Sequence, residues 1–168
     1  ILLGLIGSGI QRSLSPALHE EEGRQHGVRL HYQLIDLDLS DQGPQALPTL
    51  LQAAKVMGYA GLNITYPCKQ AVIPLLDALS DEARALQSVN TVVFREGRRE
   101  GHNTDCWGFA EAFHRGMPDV PRDRVVLVGA GGAVHGHGAT ELGDDHHGGL
   151  APDFRTHSGG QGFNAGVQ

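Results

Sequence analysis

A lysine exchanges protons near neutral pH when desolvation or its neighbours lower its pKa, and a carboxylate beside it orients the ammonium and hydrogen-bonds an adjacent hydroxyl. Lys69 and Asp105 are side chains of these two types. Each also has an ordinary reading, as a solvated lysine at a helix start and as an acidic residue favoured by the dipole at a helix N-terminus. The stretch GLNITYPCKQ, residues 61–70, holds the lysine in a suggestive setting. In a strand, Asn63 and Thr65 point to one face and Ile64 to the other, so an amide and a hydroxyl project together. Pro67 ends the pairing and leaves open the strand's carboxyl end, where ligands bind in open α/β sheets, and Lys69 follows a few residues later. Asn90 stands between Val89 and Val92, where an unsatisfied amide costs about 1–3 kcal/mol. Turn chemistry and strand-end capping account for the same residue types. Ser15 reads as the N-cap of a helix with Pro16 at its first position. Ser13 has no capping duty, and two hydroxyls at a helix N-terminus suit a ligand carboxylate.

The elements that position these residues follow from the apolar pattern. Strands are predicted at residues 2–7, 30–37 and 60–65, with a helix running from Ser15 to a stop at Gly27. Leu47, Leu50, Leu51, Ala54 and Met57 recur at helical spacing and end at Gly58. Helical pieces are expected at 69–78 and 81–86, the second capped by Ser80. A hairpin over 89–101 turns at Gly97, and a helix covers 104–115. A linker at 118–123 leads to a strand, 124–128 (RVVLV). Strands alternating with helices predict an α/β fold with a mostly parallel sheet. The expected organisation is one α/β domain over 1–117, and a linker plus the first strand and Gly-rich loop of an incomplete Rossmann domain over 118–134. Residues 135–168 then form an aberrant, disordered Gly/His-rich tail.

The 168 residues suffice for one full core. A net charge of −6, without runs of like charge, argues against nucleic-acid or anionic membrane partners. No apolar stretch approaches the ~20 residues of a membrane span. Two cysteines outside any C-x-x-C pattern fit a reducing cytoplasm. The missing initiator Met points to a trimmed start. Gly129, Ala130, Gly131, Gly132 and Ala133 follow an apolar strand as a partial dinucleotide fingerprint, with Val134 where a small residue is usual. The required helix does not follow. Loss of periodicity after Ala133 predicts a truncated or frame-shifted product. His135, His137, His146, His147 and His157 match no closed zinc pattern, so no metal site is assigned.

Four motifs occur in order: Ser13-Leu-Ser-Pro16 with His19, Asn63-Ile-Thr-Tyr-Pro-Cys-Lys69, Val89-Asn-Thr-Val92, and Gly101-His-Asn-Thr-Asp105. Together they resemble the shikimate dehydrogenase family, including its quinate/shikimate branch, over residues 2–133. The resemblance implies NADP- or NAD-dependent interconversion of shikimate or quinate with the 3-dehydro acid, in aromatic amino acid biosynthesis. It implies Lys69 and Asp105 as the proton-handling pair, and Ser13 and Ser15 as ligands of the substrate carboxylate. Asn63, Thr65, Asn90, Lys69 and Asp105 would hold the rest of the substrate, and residues 129–133 the dinucleotide. Tyr66 and His19 are assigned to packing or surface. The alternative is a catalytically dead fragment that at most binds shikimate. The sequence leaves oligomeric state unassigned.

Overall fold

The computed structural model describes residues 1–121. Six strands form one sheet: β1 (Leu2–Gly7), β2 (His31–Asp36), β3 (Gly61–Ile64), β4 (Ala78–Leu79), β5 (Thr91–Arg95) and β6 (Arg98–His102). Their order is β2-β1-β3-β5-β6-β4. β1 pairs in parallel with β2 and β3, and β4 in parallel with β6, while β5 runs antiparallel to both its neighbours. The sheet is therefore mostly parallel, with one reversed strand. That reversal follows from the hairpin, whose central residues Glu96 and Gly97 both have positive φ, as a tight primed turn demands.

Alternation along β1 sends neighbouring residues to opposite faces. Ile6 joins a large core with Leu37, Leu47, Leu51, Leu62, Ile64, Val72, Val89 and Val92. Leu5 joins a smaller one with Ile10 and Tyr32. Burying each such aliphatic side chain contributes roughly 1.5–3 kcal/mol, so the larger cluster dominates cohesion. Helix α2 (Leu47–Val56) lays Leu47, Leu51 and Ala54 into it at helical spacing, and Gly58 follows with φ +80. Helix α4 (Asp81–Leu86) is capped as expected, with Ser80 Oγ accepting from the Ala83 N–H.

Two local expectations change. The first helix, α1 (Ser15–Gln25), has Leu14 at its cap position and no side-chain cap. The duty expected of Ser15 falls partly to Ser13, whose Oγ accepts the Ser15 N–H at 3.2 Å. The helix predicted over 69–78 is only α3 (Cys68–Ala71), followed by a 3-10 turn at Ile73–Leu75 and then β4. Pro74 is the reason, since it lacks the N–H that a continuing helix needs and its ring crowds the preceding turn. The last described helix is α5 (Asp105–Gly116).

Two features join β1 and β2 to the loops beyond them. Gly7 has no room for a side chain: a Cβ there would stand 2.2 Å from Thr65 Cγ2 and 2.9 Å from the Tyr66 carbonyl oxygen. Asp36, buried at 9% exposure, ends β2 and accepts four hydrogen bonds. The donors are the N–H groups of Gly9, Ile10 and Asp38 and the Gln11 amide. Burial raises its pKa, but the bonds from Asp38, Gln11, Gly9 and Ile10 outweigh it and hold the carboxyl below its ordinary value.

Gly7→Ala should destabilise the chain by about 1–3 kcal/mol, because the clash includes backbone and cannot relax by a rotamer change alone. Denaturant unfolding measures it, and an unchanged midpoint would show that Thr65 has room to retreat. For Asp36 the folded pKa is depressed, so its stabilisation is complete above the unfolded value of about 3.9 and is lost as pH falls through the folded value. Thermal melts at decreasing pH should show Asp36→Asn less stable at pH 7 and with a flatter acid limb than the unsubstituted chain. Parallel acid limbs would rule out this carboxylate as a source of acid sensitivity.

Candidate functional site

Thr65 lies one residue beyond β3, beside the start of α1, and its N–H donates to the Ile6 carbonyl at 2.9 Å. It lines a cleft of about 930 Å³ together with Arg12, Ser13 and Ser15, over apolar Leu5 and Ile10. Ser13 and Ser15 meet, Oγ to Oγ, at 3.0 Å. A cluster of hydroxyls with one guanidinium is the donor set that an anionic, hydroxylated ligand requires.

A second group gathers at the junction of α3, β5 and α5. Lys69 Nζ donates to Asp105 Oδ2 at 2.5 Å, with both side chains partly exposed. Asp105 is the first residue of α5, and its N–H is held by Asn103 Oδ1 at 3.0 Å. The favourable position at a helix N-terminus and the pairing with lysine are therefore both realised in one carboxylate. Its other oxygen, Oδ1, accepts from Asn90 Nδ2 at 2.8 Å. Asn90 also donates to Thr104 Oγ1 and accepts, through Oδ1, from the Thr104 N–H at 3.1 Å and the Thr91 hydroxyl at 3.0 Å. Its amide is fully engaged, as a polar group between two buried valines must be.

Asn63 does not join Thr65 in lining the cleft. It reaches sideways along the sheet, with Nδ2 on Thr91 Oγ1 at 3.3 Å and Oδ1 accepting from the Tyr32 hydroxyl at 2.7 Å. Burial pushes the Tyr32 phenol up to about 12, while the influence of Ser15 pulls it part of the way back. His19 stacks on the Tyr32 ring at 4.6 Å and 5°.

The sequence reading thus missed Tyr32, Thr91, Arg12 and Asp36. Tyr32 and Thr91 carried a signal, because hydroxyls on inward strand positions need partners. Arg12 carried none beyond its place beside Ser13. The glycine loop Gly129, Ala130, Gly131, Gly132 and Ala133, the strand at 124–128 and the histidine-rich tail lie outside the described residues. Among the described residues no helix is long and apolar enough to cross a membrane.

Comparison with known proteins agrees with this architecture. The family model for the shikimate dehydrogenase substrate binding domain matches residues 5–92, just over half of the chain. A shikimate dehydrogenase (NADP(+)) of Streptomyces avermitilis is 56% identical over 147 residues, covering 86% of this chain and 50% of that protein. The structure of quinate dehydrogenase from Corynebacterium glutamicum in complex with NAD superposes with a TM-score of 0.77 at 49% identity, over 82% of this chain and 49% of that one. The Thermus thermophilus shikimate 5-dehydrogenase, solved in complex with shikimate, gives 0.73 at 34% identity, over 82% and 51%. The chain spans about half the length of the relatives it matches. Through the domain that carries the serine pair, the Asn63 strand and Lys69, the chain belongs to the shikimate dehydrogenase family.

Proposed function

We propose that residues 1–117 form the substrate-binding unit of an NADP- or NAD-dependent dehydrogenase that interconverts shikimate, or quinate, and its 3-dehydro acid. The observation that carries this is the Lys69–Asp105 pair, held 2.5 Å apart near the carboxyl end of β3. Ser13, Ser15 and Thr65 line one cleft, and Arg12 adds a cation to it. That set suits the carboxylate of a cyclic polyhydroxy acid, while Asn63, Asn90, Lys69 and Asp105 offer donors and acceptors for its hydroxyls.

In this reading Lys69 takes the proton of the reacting hydroxyl as the alcohol is oxidised and returns it in the reverse direction. Asp105 holds the lysine and accepts from a neighbouring substrate hydroxyl. The dinucleotide, when bound, supplies the hydride acceptor. Every step assigned to this chain is carried by residues 13–105. A second reading is a unit that binds shikimate without turning it over. Rate enhancement requires the acceptor to be positioned as well as the alcohol.

Titration of the chain with shikimate, followed by calorimetry or ligand-detected NMR, tests the substrate reading. Saturable binding is expected, and Ser13→Ala and Ser15→Ala should each weaken it about tenfold, the worth of a hydrogen bond to a charged group. Where turnover with NADP or NAD is detectable, Lys69→Ala should lower kcat by about 10²–10⁴ with a smaller change in KM. Shikimate binding with neither dinucleotide binding nor turnover selects the second reading, and failure to bind shikimate or quinate sinks both.

A further inference from the structure

A series of side-chain hydrogen bonds runs from Tyr32 to the Lys69–Asp105 pair. Ser13 Oγ donates to Ser15 Oγ at 3.0 Å at the start of α1. Tyr32 donates to Asn63 Oδ1, Asn63 to Thr91 Oγ1, Thr91 to Asn90 Oδ1, and Asn90 to Asp105 Oδ1. Lys69 closes the far end on Asp105 Oδ2.

The direction of the series is not free. A backbone N–H can only donate, and that of Thr104 points at Asn90 Oδ1 at 3.1 Å. Asn90 Oδ1 is therefore an acceptor, and its Nδ2 must face Asp105. Thr91 then spends its single hydrogen on Asn90 and can offer Asn63 only a lone pair, so Asn63 turns Nδ2 toward Thr91 and Oδ1 toward Tyr32. Tyr32 answers as donor, a state that its raised pKa preserves across the physiological range. One main-chain amide thus sets the orientation of two side-chain amides that sequence alone leaves free to flip.

Thr91 is the only member that both accepts from one of these amides and donates to the other. We propose that Thr91 is a positioning residue that relays the orientation of Asn90 to Asn63 and so fixes which atoms of Asn63 face a bound hydroxy acid, a role that rests on the substrate reading proposed above. Its hydroxyl is committed to the two asparagines, so it acts through them. Asn90 spends both N–H groups, on Thr104 Oγ1 and Asp105 Oδ1, whereas Asn63 gives one to Thr91, and the lock decides where its other hydrogen points.

Two readouts on the full chain test this. Thr91→Val keeps the β-branched shape that suits a strand and removes only the hydroxyl. Thr91→Ser keeps the hydroxyl. The side-chain NH2 resonances of Asn63 and Asn90, followed by NMR without any ligand, should shift and lose their protection from exchange in Thr91→Val and stay near their original positions in Thr91→Ser. Shikimate binding should weaken about tenfold in Thr91→Val, the loss expected when polar partners go unpaired, and recover in Thr91→Ser. Amide signals unchanged in Thr91→Val would overturn the lock. Altered signals with shikimate affinity within twofold of the unsubstituted chain would overturn its role in binding. If the unsubstituted chain binds no shikimate, the substrate reading itself fails, and the amide signals still decide whether Thr91 orients the asparagines. A Thr91→Val chain that does not fold leaves Thr91→Ser as the deciding variant, and its failure to reproduce the original amide signals would count against the proposal.

Discussion

The pairing of β3 with β5 is the constraint from which the site's geometry follows. In that antiparallel ladder Asn63 stands opposite Thr91 and Leu62 opposite Val92. Side chains alternate faces, so a slip of one residue would turn Asn63 into the large core and expose Leu62 and Ile64, both essentially buried. Gly61 adds a steric pin, because a Cβ there would stand 2.9 Å from the Val92 carbonyl oxygen. Once this register is set, Asn63, Thr91 and the preceding Asn90 fall into one row. The hairpin then returns β6 to His102, and Asn103, Thr104 and Asp105 arrive beside that row at the start of α5.

Two carboxylates show how differently the same group is used. Asp36 is nearly enclosed and accepts from three backbone N–H groups and one side-chain amide, so its charge is consumed in shaping the loop after β1. Asp105 is partly exposed, and its protein partners are a lysine, an asparagine amide and the helix start that its own backbone enters. A carboxylate with solvent on one side keeps lone pairs for a ligand. The first arrangement rigidifies, and the second leaves capacity for chemistry.

The polar row sits on the face of the sheet with the smaller core, formed by Leu5, Ile10 and Tyr32. Polar side chains buried at a sheet face are costly unless paired, and here each finds its partner in another member of the row. Cohesion comes from the opposite face, where Leu47, Leu51 and Ala54 of α2 join Leu62, Ile64 and Val92 of the sheet in one cluster. The division lets one side of a single sheet hold the fold together while the other carries a hydrogen-bonded array.

Much of the fold was legible because its signals are local. Short apolar runs predicted β1 and β3, a helical apolar stripe with Gly58 predicted α2, Ser80 predicted the start of α4, and Gly97 predicted the hairpin turn. Local reasoning erred at Ser15, where a serine followed by proline looks the same whether it caps the helix or begins it. It erred again at 69–78, where Pro74 weighed less than the apolar residues around it. The order of the four motifs identified the family, and the types of the candidate residues could be read from the chain directly. Their meeting could not. Tyr32 reaches Asn63 across 31 residues, Asn63 reaches Thr91 across 28, and Lys69 reaches Asp105 across 36. No period in the chain encodes those distances. The sequence by itself determined which side chains each strand and helix end presents, because dihedral preference and alternation act between near neighbours. Only the tertiary structure decided which of them touch and which way each amide faces, because that depends on the register of strands brought together by the burial of a shared core.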